Sequence, residues 1–191
     1  MAGHIHLGDA VTNGPVIVSF NPTFNTAGTT STASGTVSIR STLADSLQNL
    51  PIYVNFHSTN FPGGLVRAQL DKVIDFAADV SMTGASEVSP VVTTATGKAF
   101  IRITTDKTLY SKVTISNLEA GDAMTAAHIH KAGPTTNGPV IQILCANAGE
   151  FGISMNRIIS DALITSIKTD SIYANAHSTA HPGGIIRAQI R

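Results

Sequence analysis

The feature that most constrains this fold is a block that occurs twice. Residues 4–17 read HIHLGDAVTNGPVI and residues 128–141 read HIHKAGPTTNGPVI, identical at nine of fourteen positions. Residues 52–70, IYVNFHSTNFPGGLVRAQL, and 172–190, IYANAHSTAHPGGIIRAQI, are identical at twelve of nineteen. The offset falls from 124 to 120 between the two stretches, which places the length change in the connecting loops. Agreement this dense means that both copies build the same supersecondary unit. Ahead of the second copy, Val73–Met82, Lys98–Thr105 and Leu109–Ser116 read as three further strands, and nothing ahead of the first copy matches them. The chain therefore divides near Leu70–Asp71 into the second half of a repeat, residues 1–70, and one complete repeat, residues 71–191.

Local pattern gives the element types. His4-Ile5-His6 and Tyr53-Val54-Asn55-Phe56-His57 alternate with the two-residue period of strands, while Asn13-Gly14-Pro15 and Pro62-Gly63-Gly64 mark turns. Ser160-Asp161 ahead of Leu163, Ile164 and Ile167 predicts a capped short helix, with Leu43, Leu47 and Leu50 as its counterpart in the first copy. The expected fold is all-β, a Greek-key sandwich or barrel with a short helix per unit. Twelve basic residues offset by twelve acidic ones, without a basic run, exclude nucleic acid as a partner. No apolar stretch approaches the length of a transmembrane segment, and Met1–His6 is not a signal peptide; a leader already removed would leave the same sequence. Cys145, the single cysteine, reads as a small buried hydrophobe. There is no phosphate loop, paired-cysteine zinc site or G-x-S-x-G elbow, and Asp9, Asp45 and Asp161 are scattered, so no catalytic residue is assigned.

All seven histidines lie inside the two copies. Side chains two apart on a strand share a face, roughly 6.6 Å apart along the backbone. His4 with His6, and His128 with His130, can thus reach one ion together, completed by His57 and His177 from another strand. Three converging imidazoles suit copper, or alternatively zinc, and leave room for a further ligand. The bland alternative is a polar strand face with turn-capping histidines. His181, whose counterpart is Phe61, is a candidate extra ligand in the second unit alone. Arg67 and Arg187 would bond an acid or carbonyls across the sheet, or else set a positive charge near the metal face to draw in anions. Asn55 and Asn175, two residues before the third histidine, could orient an imidazole or serve a plain ladder or turn role.

The run H-I-H with N-G-P-V-I after it, then Y-x-N-x-H-S-T-x-x-P-G-G-x-x-R-A-Q, resembles the chordin-type domain known as CHRD. Glu87-Val88-Ser89-Pro90-Val91-Val92 leading to Ala95-Thr96-Gly97-Lys98-Ala99 looks like that family's opening. The resemblance covers residues 73–191 as a whole domain and 1–70 as a second half. It implies an extracellular or cell-surface location. The histidine motifs are also similar to Cu,Zn superoxide dismutase, whose copper strand carries H-x-H before a Gly-Pro turn, followed by a further strand histidine and an arginine. That similarity implies a β-barrel and a copper-type site. This chain departs from it in having no second His and Asp cluster, no evident bridging histidine and no second cysteine for the disulfide.

The leading expectation is a non-catalytic extracellular β-module with a structural or assembly role in a fibre, surface layer or adhesive array, metal stabilising or joining its units. A half-repeat exposes strand edges that proteins cover, so self-association or strand complementation between copies is expected. The alternatives are a copper-dependent, superoxide-handling oxidoreductase and a binder of an extracellular protein ligand.

Overall fold

The computed structural model describes residues 2–20, 22–27 and 30–191. The chain separates into two compact units, residues 1–73 and 74–191, a division three residues beyond the one expected from the repeat.

Unit 2 is a nearly closed antiparallel barrel. Its strands are β7 (Ile74–Thr83), β8 (Thr96–Thr104), β9 (Thr108–Ser116), β10 (Met124–Lys131), β11 (Val140–Cys145), β12 (Met155–Ile158), β13 (Ile172–Ser178) and β14 (Ile186–Gln189). They lie in the order β11-β10-β13-β14-β7-β8-β9-β12, so the chain leaves the β7–β9 meander, crosses to β10, and returns through β12 to pair with β9. That crossing is the expected Greek key. Arg157 on β12 donates to the Leu144 carbonyl of β11 at 3.5 Å, bringing the two end strands towards each other. Buried and less buried residues alternate along β8 and β9, as a sheet with one inner face requires. Ile101, Ile103, Leu109 and Val113 thereby join Ile129, Leu144, Ile172, Ile185 and Ile186 in one core. Helix α2 (Asp161–Thr169) starts where Ser160 Oγ accepts from Leu163 N, and its Ile167 is fully buried in the same cluster.

Unit 1 repeats half of this design. Strands β1 (Ala2–Leu7), β2 (Val16–Phe20), β5 (Ile52–His57) and β6 (Val66–Gln69) form a sheet in the order β2-β1-β5-β6, the arrangement of β11-β10-β13-β14. The register is the same in both: His4 faces Asn55 as His128 faces Asn175, and Asn55 faces Arg67 as Asn175 faces Arg187. Helix α1 (Ser41–Asn49) is the counterpart of α2, but Arg40 at its start makes no side-chain cap and none of its residues is buried. A separate hairpin of β3 (Thr23–Ala27) and β4 (Thr30–Ser34) precedes it. Among the described apolar residues of unit 1, only Ala10, Val18, Ile52 and Tyr53 are buried.

Candidate metal centre

Strand geometry assembles the same three-histidine cluster in each unit. His4 and His6 share one face of β1, and Ala2 pairs with His57, so His57 sits diagonally across from His4 on the neighbouring strand. The ring centroids of His4 and His57 are 4.9 Å apart, those of His4 and His6 5.7 Å, and those of His6 and His57 6.1 Å. His128, His130 and His177 repeat these spacings. In each cluster one nitrogen from every ring lies within 4.8 Å of the others.

Backbone carbonyls fix which nitrogen each ring presents. His6 Nδ1 lies 3.0 Å from the Gly14 carbonyl and His57 Nδ1 2.9 Å from that of Pro62. His130 and His177 make the same bonds, to Gly138 at 2.9 Å and Pro182 at 3.0 Å. A carbonyl only accepts, so Nδ1 carries the proton in all four rings and Nε2 keeps its lone pair. Nε2 of His6, His57 and His130 is buried with no hydrogen-bond partner among the described residues, as is His4 Nδ1. His128 Nδ1 is 3.1 Å from His177 Nε2. In unit 1 the unpartnered nitrogens gather and are costly to bury unless something supplies positive charge between them, whereas in unit 2 His128 Nδ1 answers His177 Nε2 and leaves that of His130. Burial, followed by repulsion from His177 and His130, pushes the pKa of His128 down to about 4. His130 and His177 are also lowered, chiefly by burial, as is His4, so these rings are neutral, the form in which imidazole ligates metal.

The turns deliver those carbonyls, so the Asn-Gly-Pro and Pro-Gly-Gly motifs do more than reverse the chain. A Cβ on Gly14 would overlap the Leu7 carbonyl oxygen, and one on Gly138 that of Lys131; only glycine lets the loop lie close enough. Gly64 and Gly184 stand at φ +132° and +135°, a region that disfavours any side chain.

The arginines hold this loop instead of facing the cluster. Arg67 donates to Asn13 Oδ1 at 2.9 Å, to the Thr12 carbonyl at 3.0 Å and to the Asp9 carbonyl. Arg187 bonds Asn137 Oδ1 at 3.0 Å and the Gly133 and Thr136 carbonyls at 2.8 and 3.0 Å. Each guanidinium lies 3.4 Å over a tyrosine ring, Tyr53 or Tyr173, which in turn stacks on His6 or His130 at 4.8 Å. The tyrosine thus lies between arginine and imidazole, and the bonding to carbonyls expected for the arginine forms in both units, while the charge of Arg187 still reaches His130 and helps to lower its pKa. Tyr53 and Tyr173 also accept from the backbone of Gly14 and Gly138. The sequence signal for these tyrosines, identity in both copies four residues before the third histidine, is visible but has no metal-ligand chemistry to attract notice.

The asparagines bond elsewhere than the imidazoles. Asn175 Nδ2 donates to Glu87 Oε1 at 2.6 Å, and Asn55 Nδ2 reaches the Gly63 carbonyl at 3.4 Å; the carbonyls at the turns already occupy the Nδ1 protons. His181 is not brought into the triad. It lies in the turn after β13, its backbone N–H donating to Ser178 Oγ, and lines a separate hollow with Glu119, Asp122 and Thr179. Glu87, buried against Asn175, is a residue that sequence reasoning gave no role.

Comparison with known proteins adds one finding. The family model for the CHRD domain matches residues 1–70 and 78–190. No curated protein and no solved structure matches the chain.

Proposed function

Because the chain belongs to the CHRD domain family, we propose that its two repeats are transition-metal-binding β-modules with a structural, assembly role outside the cell or at its surface. CHRD domains are commonly extracellular and protein-binding, which supports that location and makes proteins, other copies of this chain included, the expected partners. No helix is long and apolar enough to cross a membrane. One observation carries the metal reading: each of two clusters brings a nitrogen from three imidazoles within 4.8 Å of one another, with two ring protons per cluster held by backbone carbonyls and the lone pairs of His6, His57 and His130 left without partners among the described residues. That donor set fits copper first and zinc second. His128, His130 and His177 would hold one ion and His4, His6 and His57 another, each linking two adjacent strands. Backbone acceptors behind ligating histidines are the usual device for fixing their orientation.

The test is metal analysis of protein purified without chelator, followed by titration with copper and with zinc. The expected result is two ions per chain, falling to one in His128→Ala and to one in His4→Ala. Absence of stoichiometric binding for both metals overturns the reading. A redox role is the second reading, favoured by an open hollow of roughly 410 Å³ beside His4 and His57, lined also by Ala2, Ser58, Thr59 and Pro62, which gives a small molecule access to the ligand face. Superoxide removal by the copper-loaded protein, abolished in His57→Ala, would favour it over the structural role.

A further inference from the structure

The two repeats are built alike but covered differently. In unit 2, Gly184 to Ala188 are all buried, Ile185 and Ile186 being 0% exposed and Arg187 1%. β7 pairs beside β14 through Thr83 and Arg187, and Glu87, just after a 3-10 turn at Gly84–Ser86, reaches Asn175. The equivalent residues in unit 1 run from Gly64 to Ala68, and there Leu65 is 50% and Val66 58% exposed. β6 ends its sheet, whereas β14 continues to β7. Ile5 and Phe56 line an apolar hollow of about 380 Å³ with Val18, Phe20 and Val37, walled on one side by Ala33 and Ser34 of β4, while their equivalents Ile129 and Ala176 are 0% exposed.

We propose that this face of unit 1 is a docking site for a three-stranded antiparallel segment of the kind formed by β7–β9, bearing a carboxylate in the place of Glu87 and supplied from outside residues 1–191. An apolar sheet face with an open edge is a template for strand addition, and unit 2 shows what fits the same residues. The polar part matches as well. Asn55 and Arg67 face each other as Asn175 and Arg187 do around Glu87, and without that carboxylate Asn55 turns to the Gly63 carbonyl. Strand exchange among copies of residues 1–191 cannot cover every such face, since these residues hold one β7–β9 segment and two faces that fit it. Two copies apposed through unit 1 would bring neither a β7-type strand nor a counterpart of Glu87.

Placing residues 71–124 ahead of residue 1 restores the 124-residue offset of the repeat and supplies the segment covalently. Hydrogen exchange at residues 64–69 should slow at least tenfold in this extended chain, and Ala in its added copy of Glu87 should reverse part of the gain. In the unextended chain, Val66→Asp should leave the melting temperature unchanged while Ile186→Asp lowers it by many degrees; in the extended chain both should be damaging. Three results each overturn the proposal: unchanged exchange at 64–69 on extension, Val66→Asp destabilising the unextended chain as much as Ile186→Asp does, or a concentration-dependent dimer that Val66→Asp dissociates, which would make a second copy the occupant.

Discussion

The imidazole protons of His6, His57, His130 and His177 are held by main-chain carbonyls, so the chemistry of each cluster is set by loop conformation as much as by the histidines. The H-x-H spacing and the third histidine could be read from period two alone. The loop's contribution could not, because a carbonyl carries no side-chain signature and Gly14 reads simply as a turn residue. Glu87 shows the same limit. Burial raises its carboxyl to about 7 against the attraction of Arg187, yet nothing in the sequence around it announces a buried acid. Between its ordinary value of 4.5 and about 7, the folded protein holds a proton that the unfolded chain has released. The stability from this group is therefore complete below pH 4.5 and lost as pH rises through about 7. Glu87→Gln removes the titrating proton while keeping an acceptor for Asn175. Denaturant unfolding at pH 4.5 and pH 8 should show a smaller loss with pH in the variant than in the parent, by up to about 3 kcal/mol. An equal loss in both would remove Glu87 from the account.

At the scale of elements, strong alternation was enough to place β7, β8 and β9 within about two residues. The capped helix was equally legible, since Ser160 carries its own start signal and bonds Leu163 N as that signal implies. Ser160→Ala should cost unit 2 about 1 kcal/mol in denaturant unfolding, the usual worth of an N-cap. The same change at Ser41, inside the first turn of α1 and not at its cap, should cost less than half of that, because Arg40 occupies the cap position. What the pattern missed were β12, only four residues long, and the β3–β4 hairpin, whose sequences TFNTA and TSTAS carry no alternation of apolar residues. Short or polar strands are specified by the partner they pair with, and that partner is remote or unforeseen in the sequence.

For the whole molecule, the difference between the units is one of burial. Unit 2 closes most of a barrel around a continuous core, whereas the described buried apolar residues of unit 1 are four. Stability follows buried apolar area at roughly 25 cal/mol per Å², so residues 1–70 should open first. Hydrogen exchange followed by mass spectrometry should show peptides from 1–70 labelled fully while the cores of β8, β9 and β13 remain protected; simultaneous labelling would mean that the units unfold as one. The sequence by itself determined the repeat, its interrupted first copy, the Greek-key class and the three histidines per copy, because identity and period are local properties of the chain. Tertiary structure alone decided that Arg67 and Arg187 clamp a loop behind a tyrosine, that His181 stands apart, and that the same residues are buried in one repeat and exposed in the other. Those outcomes depend on which strand lies beside which, and pairing across many tens of residues is fixed only when the sheet forms.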